Sequence, residues 1–485
     1  MKGIDNSAIT AAQSATGQLT GDTLHRTVKV VLDTGEATTL EEAQRLFADY
    51  RLVIEVGRDV ATSPTLQAMV LTAVNTARRC FLGGVDVVGK VENVDLKVPW
   101  RQCGTLAEAV TDLHGRVAAH ARADLHELPR IIIGDGRLPT SATAFAARGT
   151  FDGWCGGALP ADDPRRLPER QSCVPAGVLA GALAVGEAFQ HVRGNAYAGR
   201  RDVGLSLWRP EPTVSWLNMA GRGPHLDLLP TELWVIGLGH LGQAYLWTLG
   251  LLPYADAGAA RLVLQDFDVL VQANDSTSLL TDQAVLGQMK TRALARWADL
   301  RGFQARIVER RFAPNFHIAH DEPRVALCGV DNQQARAALE EVGFQRIIDA
   351  GLGAGPQEFL AFQVHTFPAN HRTARDLWGN ATSDESVPPS MPIHLPAYDC
   401  LLRQGLDQCG VTLLAGRTVG AAFVGAATAA IVIAETLRLA MGAHGYELVD
   451  GSLRSLDHRN AIAATTQLEP FNPGITPVGV LPRKE

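Results

Sequence analysis

The stretch from Leu233 to Lys290 constrains this chain more than any other. It opens LWVIGLGHLG, continues through LVLQDFDVLVQANDSTS and reaches GQMK. A short apolar run leads into Gly237, Gly239 and Gly242, and a second apolar run ends in Asp266 and Asp268. The segment therefore reads as strand, glycine turn, helix and second strand, the opening unit of a nucleotide-binding sheet. Gly237 and Gly239 allow a tight turn and close approach of backbone N–H groups to phosphate oxygens. Gly242 lets the helix pack closely on the strand, and the helix N-terminus carries partial positive charge. Asp266 is placed to accept hydrogen bonds from ribose hydroxyls. By itself the pattern fits NAD, FAD or ATP, or a packing turn with no ligand.

Asp266, Asn274 and Lys290 are followed by VALCGVDNQQAR, which holds Asp331, Asn332 and Arg336. This series resembles the ThiF-type, ubiquitin-activating superfamily, over about residues 230–440. That superfamily shows a D-x-D strand end, a later Asn, G-x-x-K opening a helix, and a D-N-x-x-x-R turn; all four occur here in order. The resemblance implies an α/β chain with Rossmann-like adenylation domains that uses ATP and magnesium to adenylate the C-terminal carboxylate of a ubiquitin-like carrier protein. On that reading Lys290 and Asp331 are catalytic, with Asp331 also the magnesium ligand. Gly237, Gly239, His240, Gly242, Asp266, Asn274, Lys290 and Asn332 would bind the nucleotide. Read singly, Lys290 also fits a solvated helix residue and Asp331 a helix N-cap before Gln333.

Two departures matter. His240 stands where that superfamily has a third close glycine. Its usual arginine is missing from the stretch Asn274, Asp275, Ser276, Thr277, Ser278, and Arg51 and Arg26 are the candidates to replace it from elsewhere in the chain.

The first half reads as a worn copy of the second. RLVIEVGRDVATSPTLQAMVLTAVNTARRCFLGGVDVVG has the strand–turn–helix–strand order, but Gly57 lacks a glycine loop around it. RIIIGDG matches RVALCGVDN, and FDGWCGGALP is set against IIDAGLGAG. VPAGVLAGALAVGEAFQHV, with Glu187 and Phe189, parallels the Ala-rich helix that runs from Cys409 to Met441 and carries Glu435. The copy lacks the lysine and the Asp-Asn pair, so it is expected to bind no nucleotide. This predicts two Rossmann-like adenylation domains in tandem, a degenerate one and an active one, each with a core of ordinary size. The expected divisions are an N-terminal extension (1–46), the degenerate domain (47–205), a linker (206–228), the active domain (229–450) with a crossover loop (367–410), and a tail (451–485). Residues 1–22 are expected to be a loose start, and the tail from Ala464 irregular chain.

The crossover loop is expected to be long and irregular, with four prolines from Pro388 to Pro396. In the superfamily this loop or an adjoining domain often holds a cysteine that takes the acyl group as a thioester. Cys409 is the main candidate because it precedes a helix, and Cys400 is the second. The other five, Cys80, Cys103, Cys155, Cys173 and Cys328, are scattered, which points to a reduced, cytoplasmic compartment. No paired C-x-x-C zinc motif occurs, which weakens a cofactor-biosynthesis reading; His365, His371 and His394 allow a mixed His/Cys metal site.

Lys plus Arg 44 against Asp plus Glu 51 gives a net charge of −7 with no basic run, so nucleic acid is excluded as a partner. Thr418–Ala434 approaches a membrane span in length, yet its small residues and the flanking Arg417 and Glu435 favour a buried helix. The expected partners are a ubiquitin-like carrier, a ubiquitin-conjugating-type enzyme and a second copy of the chain. The alternatives are activation of a sulfur carrier, an NAD-dependent dehydrogenase, and a non-catalytic scaffold.

Overall fold

The computed structural model describes residues 19–119, 125–138, 145–379, 392–465 and 472–479. The expected loose start lies mostly outside them, as do Pro388 and Pro389 of the crossover loop.

Helices α1 (Lys29–Asp33) and α2 (Leu40–Asp49) lead into β1 (Arg51–Val56), α3 (Pro64–Ala77), β2 (Gly84–Gly89), α4 (Leu106–Asp112) and β3 (Arg116–Ala118). Then come β4 (Arg130–Ile133), β5 (Ala146–Asp152), β6 (Cys155–Pro160), α5 (Val174–Val192) and β7 (Val203–Ser206). Local chemistry sets the helix starts. Ser63 accepts the Leu66 N–H ahead of α3, and Pro64 sits in the first turn, where its missing N–H costs nothing. Thr105 and Glu108 form a capping box on α4.

The second half begins with β8 (Leu228–Pro230), β9 (Glu232–Ile236), α6 (His240–Leu251), β10 (Arg261–Gln265), α7 (Gln272–Asp275), α8 (Lys290–Arg301) and β11 (Gln304–Val308). It continues with β12 (Val325–Cys328), α9 (Gln333–Ala337), β13 (Arg346–Leu352), β14 (Ala361–Phe367), α10 (Ala374–Trp378), α11 (Pro396–Arg403) and α12 (Gln408–Ala415). Helix α13 (Ala422–Ala440) and strands β15 (Tyr446–Ser452), β16 (Asn460–Ala463) and β17 (Ile475–Pro477) complete it.

The two sheets share a topology. The first runs β3-β2-β1-β4-β5-β6-β7 and the second β11-β10-β9-β12-β13-β14-β15-β16. In each, the first five strands are parallel and the rest antiparallel. The duplication reaches single side chains. Glu187 on α5 accepts the Gly199 N–H at 2.8 Å, just ahead of its sheet's seventh strand, and Glu435 on α13 accepts the Tyr446 N–H at 3.0 Å, at the first residue of its own sheet's seventh strand. Strand register corrects one alignment. Ala147 pairs with Pro160 as Ile347 pairs with Phe367, so the counterpart of IIDAGL lies in β5, and Cys155–Pro160 is the following strand.

The expectation of two separate cores is also corrected. One hydrophobic cluster runs through both halves, because α5 lies on α13 and α3 on α5. Phe189 meets Phe423 at 5.6 Å, and Trp247 of α6 donates its indole N–H to Thr72 of α3 at 3.0 Å. Helix α13 is long and apolar enough for a membrane span but is wholly buried here. It starts only at Ala422, so the expected helix from Cys409 is two helices, α12 and α13.

The flanking segments are structural as well. Leu24, Val28, Val31 and Ala43 of the expected extension are core residues, and the Lys29 ammonium reaches both Asp33 and the Ala415 carbonyl. The linker is tied down by Arg459, whose guanidinium donates to the Pro210 and Glu211 carbonyls. The tail supplies β16 and β17, the latter paired with β8. The crossover loop carries α10, α11 and part of α12.

Candidate functional site

In the second sheet the order reverses between β9 and β12, the switch point where open α/β sheets bind ligands beyond the carboxyl ends of their strands. The glycine turn follows β9, and Asp331 follows β12. Gly237 has φ +81°, a value that excludes most side chains, and a Cβ there would lie 2.9 Å from Val330. A Cβ at Gly242 would lie 1.9 Å from the Gly237 carbonyl oxygen, so this glycine lets α6 seat on the turn. At Gly239 a Cβ would meet nothing within 4 Å. Among the described residues, the face of the turn at Gly239 is open.

Asp266 braces that turn. One carboxylate oxygen accepts the Leu238 N–H at 2.7 Å, and the other accepts the N–H groups of Phe267 at 2.7 Å and Asp268 at 2.9 Å. A carboxylate offers about four acceptor sites, so little capacity is left for ribose hydroxyls. Lys290 opens α8 and is buried, not solvated. Its ammonium lies 3.0 Å from Asp268 and 3.8 Å from Asp266.

Asp331 is exposed and has no hydrogen-bond partner among the described residues. Asn332, not Asp331, caps α9, by accepting the Ala335 N–H at 2.8 Å. Asn274 accepts the Val271 N–H at 2.9 Å, which leaves its amide NH2 group to donate. Arg336 is committed to structure. It pairs with the buried Asp349 and stacks on Trp378 at 4.0 Å, while burial still pushes the Asp349 carboxyl above its ordinary range.

The expected role of the His240 side chain is corrected. Its imidazole packs against α13, where a Cβ on Gly425 would fall 2.3 Å from Nε2. Burial, then the charge of Arg79, holds its pKa down at about 4. Only its backbone N–H, in the first turn of α6, remains for a ligand.

Of the two arginines expected to replace the missing one, Arg51 is at the start of β1, the far end of the strand from the turns, and bonds Asp86 at 3.1 Å. Arg26 lies beside the Asn274–Ser278 stretch. Its backbone N–H donates to the Ser276 hydroxyl at 3.1 Å, and its Nη1 is buried without a partner among the described residues. Burial, then the nearby Arg417, lowers its pKa to about 10.

The sequence reading missed Arg78 and Arg79, which follow α3 of the first half yet bond the Asp275–Thr281 stretch of the second. Adjacent arginines at a helix end were a signal, but of a kind shared by many solvated surfaces.

Cys409 is exposed in the first turn of α12, where the Asp407 side chain caps the helix through the Gly410 N–H at 2.7 Å; Cys400 is half-buried. Burial pushes the thiols of Cys155 and Cys173 up to about 12. His365 stacks on Phe367, and His371 pairs with Glu447 at 2.7 Å. No group of three or more His, Cys, Asp and Glu among the described residues is placed to hold a metal ion, so the mixed His/Cys site is not formed.

The equivalent place in the first half is filled. Gly89 pairs with Val56 as Gln265 pairs with Ile236, so Lys90 stands at the position of Asp266. Beyond β1, the Asp135 carboxylate accepts the Arg58 N–H, and a Cβ on Gly57 would lie 2.2 Å from that carboxylate.

Comparison with known proteins also divides the chain into two domains. The family model described as the BilD N-terminal domain matches residues 51–207, and that of the BilD C-terminal domain matches residues 229–443. A bacterial E1-like protein BilD from Collimonas sp. (strain OK412) is 43% identical over 437 residues, covering 90% of this chain and 92% of the relative. Among solved structures, E. coli MccB is similar at 10% identity and a TM-score of 0.32, covering 67% of this chain and 94% of its own. PaaA is similar at 14% identity and a TM-score of 0.31, covering 48% of this chain and 72% of its own. These two likenesses are too distant to carry an argument about activity. The relative and the two domain matches place the chain in the family of bacterial E1-like BilD proteins.

Proposed function

We propose that this protein uses ATP to adenylate the C-terminal carboxylate of a ubiquitin-like protein and passes the acyl group to Cys409. One observation carries the reading: the glycine turn and the exposed Asp331 follow the two strands that flank the switch point of the second sheet, and the buried Lys290 lies 3.8 Å from Asp266, which bonds that turn. Backbone N–H groups of the turn and of the first turn of α6 hold phosphate oxygens, and Lys290 neutralises their charge. Asp331 is a hard, exposed carboxylate of the kind magnesium takes together with substrate phosphates. When bound, magnesium would offset the charge that builds on the departing pyrophosphate. Arg26, with its free Nη1, supplies the cation missing after Asn274.

The carrier carboxylate attacks the α-phosphorus. A new P–O bond forms as the bond to the bridging oxygen breaks, and pyrophosphate leaves with that electron pair. The Cys409 thiolate then attacks the acyl carbon, giving a thioester and AMP. The first half, with Lys90 and Asp135 at its turn, binds no nucleotide.

ATP–pyrophosphate exchange with candidate carriers tests this. Carrier-dependent exchange lost in Asp331→Ala but kept in Cys409→Ala is expected. Absence of exchange with every carrier encoded beside the gene would favour a non-catalytic scaffold.

A further inference from the structure

The Asp275–Thr281 stretch belongs to the second half by sequence, but side chains of the first half donate to its carbonyls at Ser278, Leu279 and Thr281. Arg79 donates to the carbonyls of Ser278 at 2.7 Å and Thr281 at 2.9 Å. Asn75 donates to the Leu279 carbonyl at 3.0 Å. Arg78 reaches the Thr281 carbonyl at 3.1 Å and the Asp275 carboxylate at 2.8 Å. Asn75, Arg79, Ser278 and Thr281 are almost wholly buried. A buried carbonyl without a donor is costly, so removing these donors would force the stretch to rearrange.

The stretch in turn holds the glycine turn. The buried Gln243 of α6 accepts the Leu280 N–H at 2.9 Å and the Thr281 hydroxyl at 3.0 Å, and donates to the Leu238 carbonyl at 3.1 Å. Leu238 then donates its N–H to Asp266. The bonds run without a break from Arg79 through Thr281 and Gln243 to Leu238 and Asp266.

We infer that Arg79 is a positioning residue for nucleotide binding: through Thr281 and Gln243, the first half holds the glycine turn of the second in its binding geometry. The nucleotide part of this inference rests on the proposed adenylation. Arg79 itself touches neither the turn nor the open space over Gly239, so its effect passes through the relay. Loss of its guanidinium leaves the Ser278 carbonyl with only the Thr281 N–H, at 3.2 Å, and the Thr281 carbonyl with only Arg78. The Gln243 amide then loses its fixed partners, and the Leu238 carbonyl with it.

The test combines hydrogen–deuterium exchange of the nucleotide-free full chain with calorimetric binding of magnesium ATP, in wild type, Arg79→Met, Arg79→Lys and Thr281→Val. Thr281→Val is the milder change, and it keeps the question open to test if Arg79→Met does not fold. Faster exchange is expected in residues 237–243 as well as 275–281 for Arg79→Met, with strands β12 and β13 unchanged. ATP affinity should fall about tenfold, the equivalent of about 1.4 kcal/mol. Arg79→Lys should recover part of both effects, and Thr281→Val should show a smaller loss of both. Faster exchange confined to 275–281, with exchange in the turn and ATP affinity both unchanged, overturns the inference. A wild-type protein that binds no ATP refutes the adenylation reading instead, and the exchange pattern of the turn still decides the relay.

Discussion

Two glycines in one turn are expected to respond oppositely to the same added methyl group. In Gly239→Ala the new Cβ meets nothing within 4 Å among the described residues, and the backbone there has φ −85° and ψ −140°. Ala is the poorer N-cap and fits the ψ of −140° less well than Gly, so a stability loss of about 1–2 kcal/mol is expected. The methyl nevertheless projects into the open space over the turn. A phosphate oxygen kept from one backbone N–H loses a charge-assisted bond of about 1.5–3 kcal/mol, roughly ten- to a hundredfold in affinity. In Gly242→Ala the Cβ would lie 1.9 Å from the Gly237 carbonyl oxygen, which cannot move without shifting the turn. Overpacking of that kind costs about 1–3 kcal/mol or more. Scanning calorimetry gives the stability of each variant, and titration with magnesium ATP gives its affinity. Normal ATP binding by a well-folded Gly239→Ala protein would refute the assignment of this turn to phosphate.

Other outcomes follow from the same geometry. Lys290→Met should abolish ATP–pyrophosphate exchange and leave Asp268 without its ammonium partner; exchange at half the wild-type rate or better would exclude a role in phosphate neutralisation. Arg336→Met should destabilise the fold by about 3–5 kcal/mol, because it leaves the buried Asp349 charge unpaired, and a thermal midpoint equal to wild type would contradict that. Burial holds His25, like His240, at a pKa of about 4. The unfolded chain takes up those protons near pH 6.5 and the folded protein does not, so stability is lost as pH falls from about 6.5 to 4, by about 1–3 kcal/mol per histidine. Urea unfolding at pH 7 and pH 5 should show this loss, and His25→Gln should make it smaller. Cys409→Ala should leave the melting temperature unchanged, since the thiol is exposed, and should remove a carrier thioester seen on a non-reducing gel; persistence of that thioester would move the nucleophile to Cys400 or elsewhere.

Much of the fold was legible because its signals are local. The strand, turn and helix around Gly237 follow from apolar runs and turn residues within a few positions, whereas the lysine that opens α8 and the Asp-Asn pair ahead of α9 were read from the resemblance. The duplication was legible for the same reason, as each half repeats one order of elements. Local patterns failed where several orientations satisfy the same residues. The imidazole of His240 could face the ligand or the core, and Asp331 or Asn332 could have capped α9. The end of FDGWCGGALP belonged to the next strand because a hairpin turn, not an apolar run, divides it.

The sequence by itself determined a duplicated α/β chain, the glycine turn, and the residue types gathered at its switch point. Only the tertiary structure decided which distant groups complete that site. Arg79 and Ser278 are 199 positions apart, and Arg26 and Ser276 are 250 apart. No periodicity spans such distances. What selects these pairs is the buried face between α5 and α13, which brings the two halves together and leaves carbonyls of one half to be satisfied by the other.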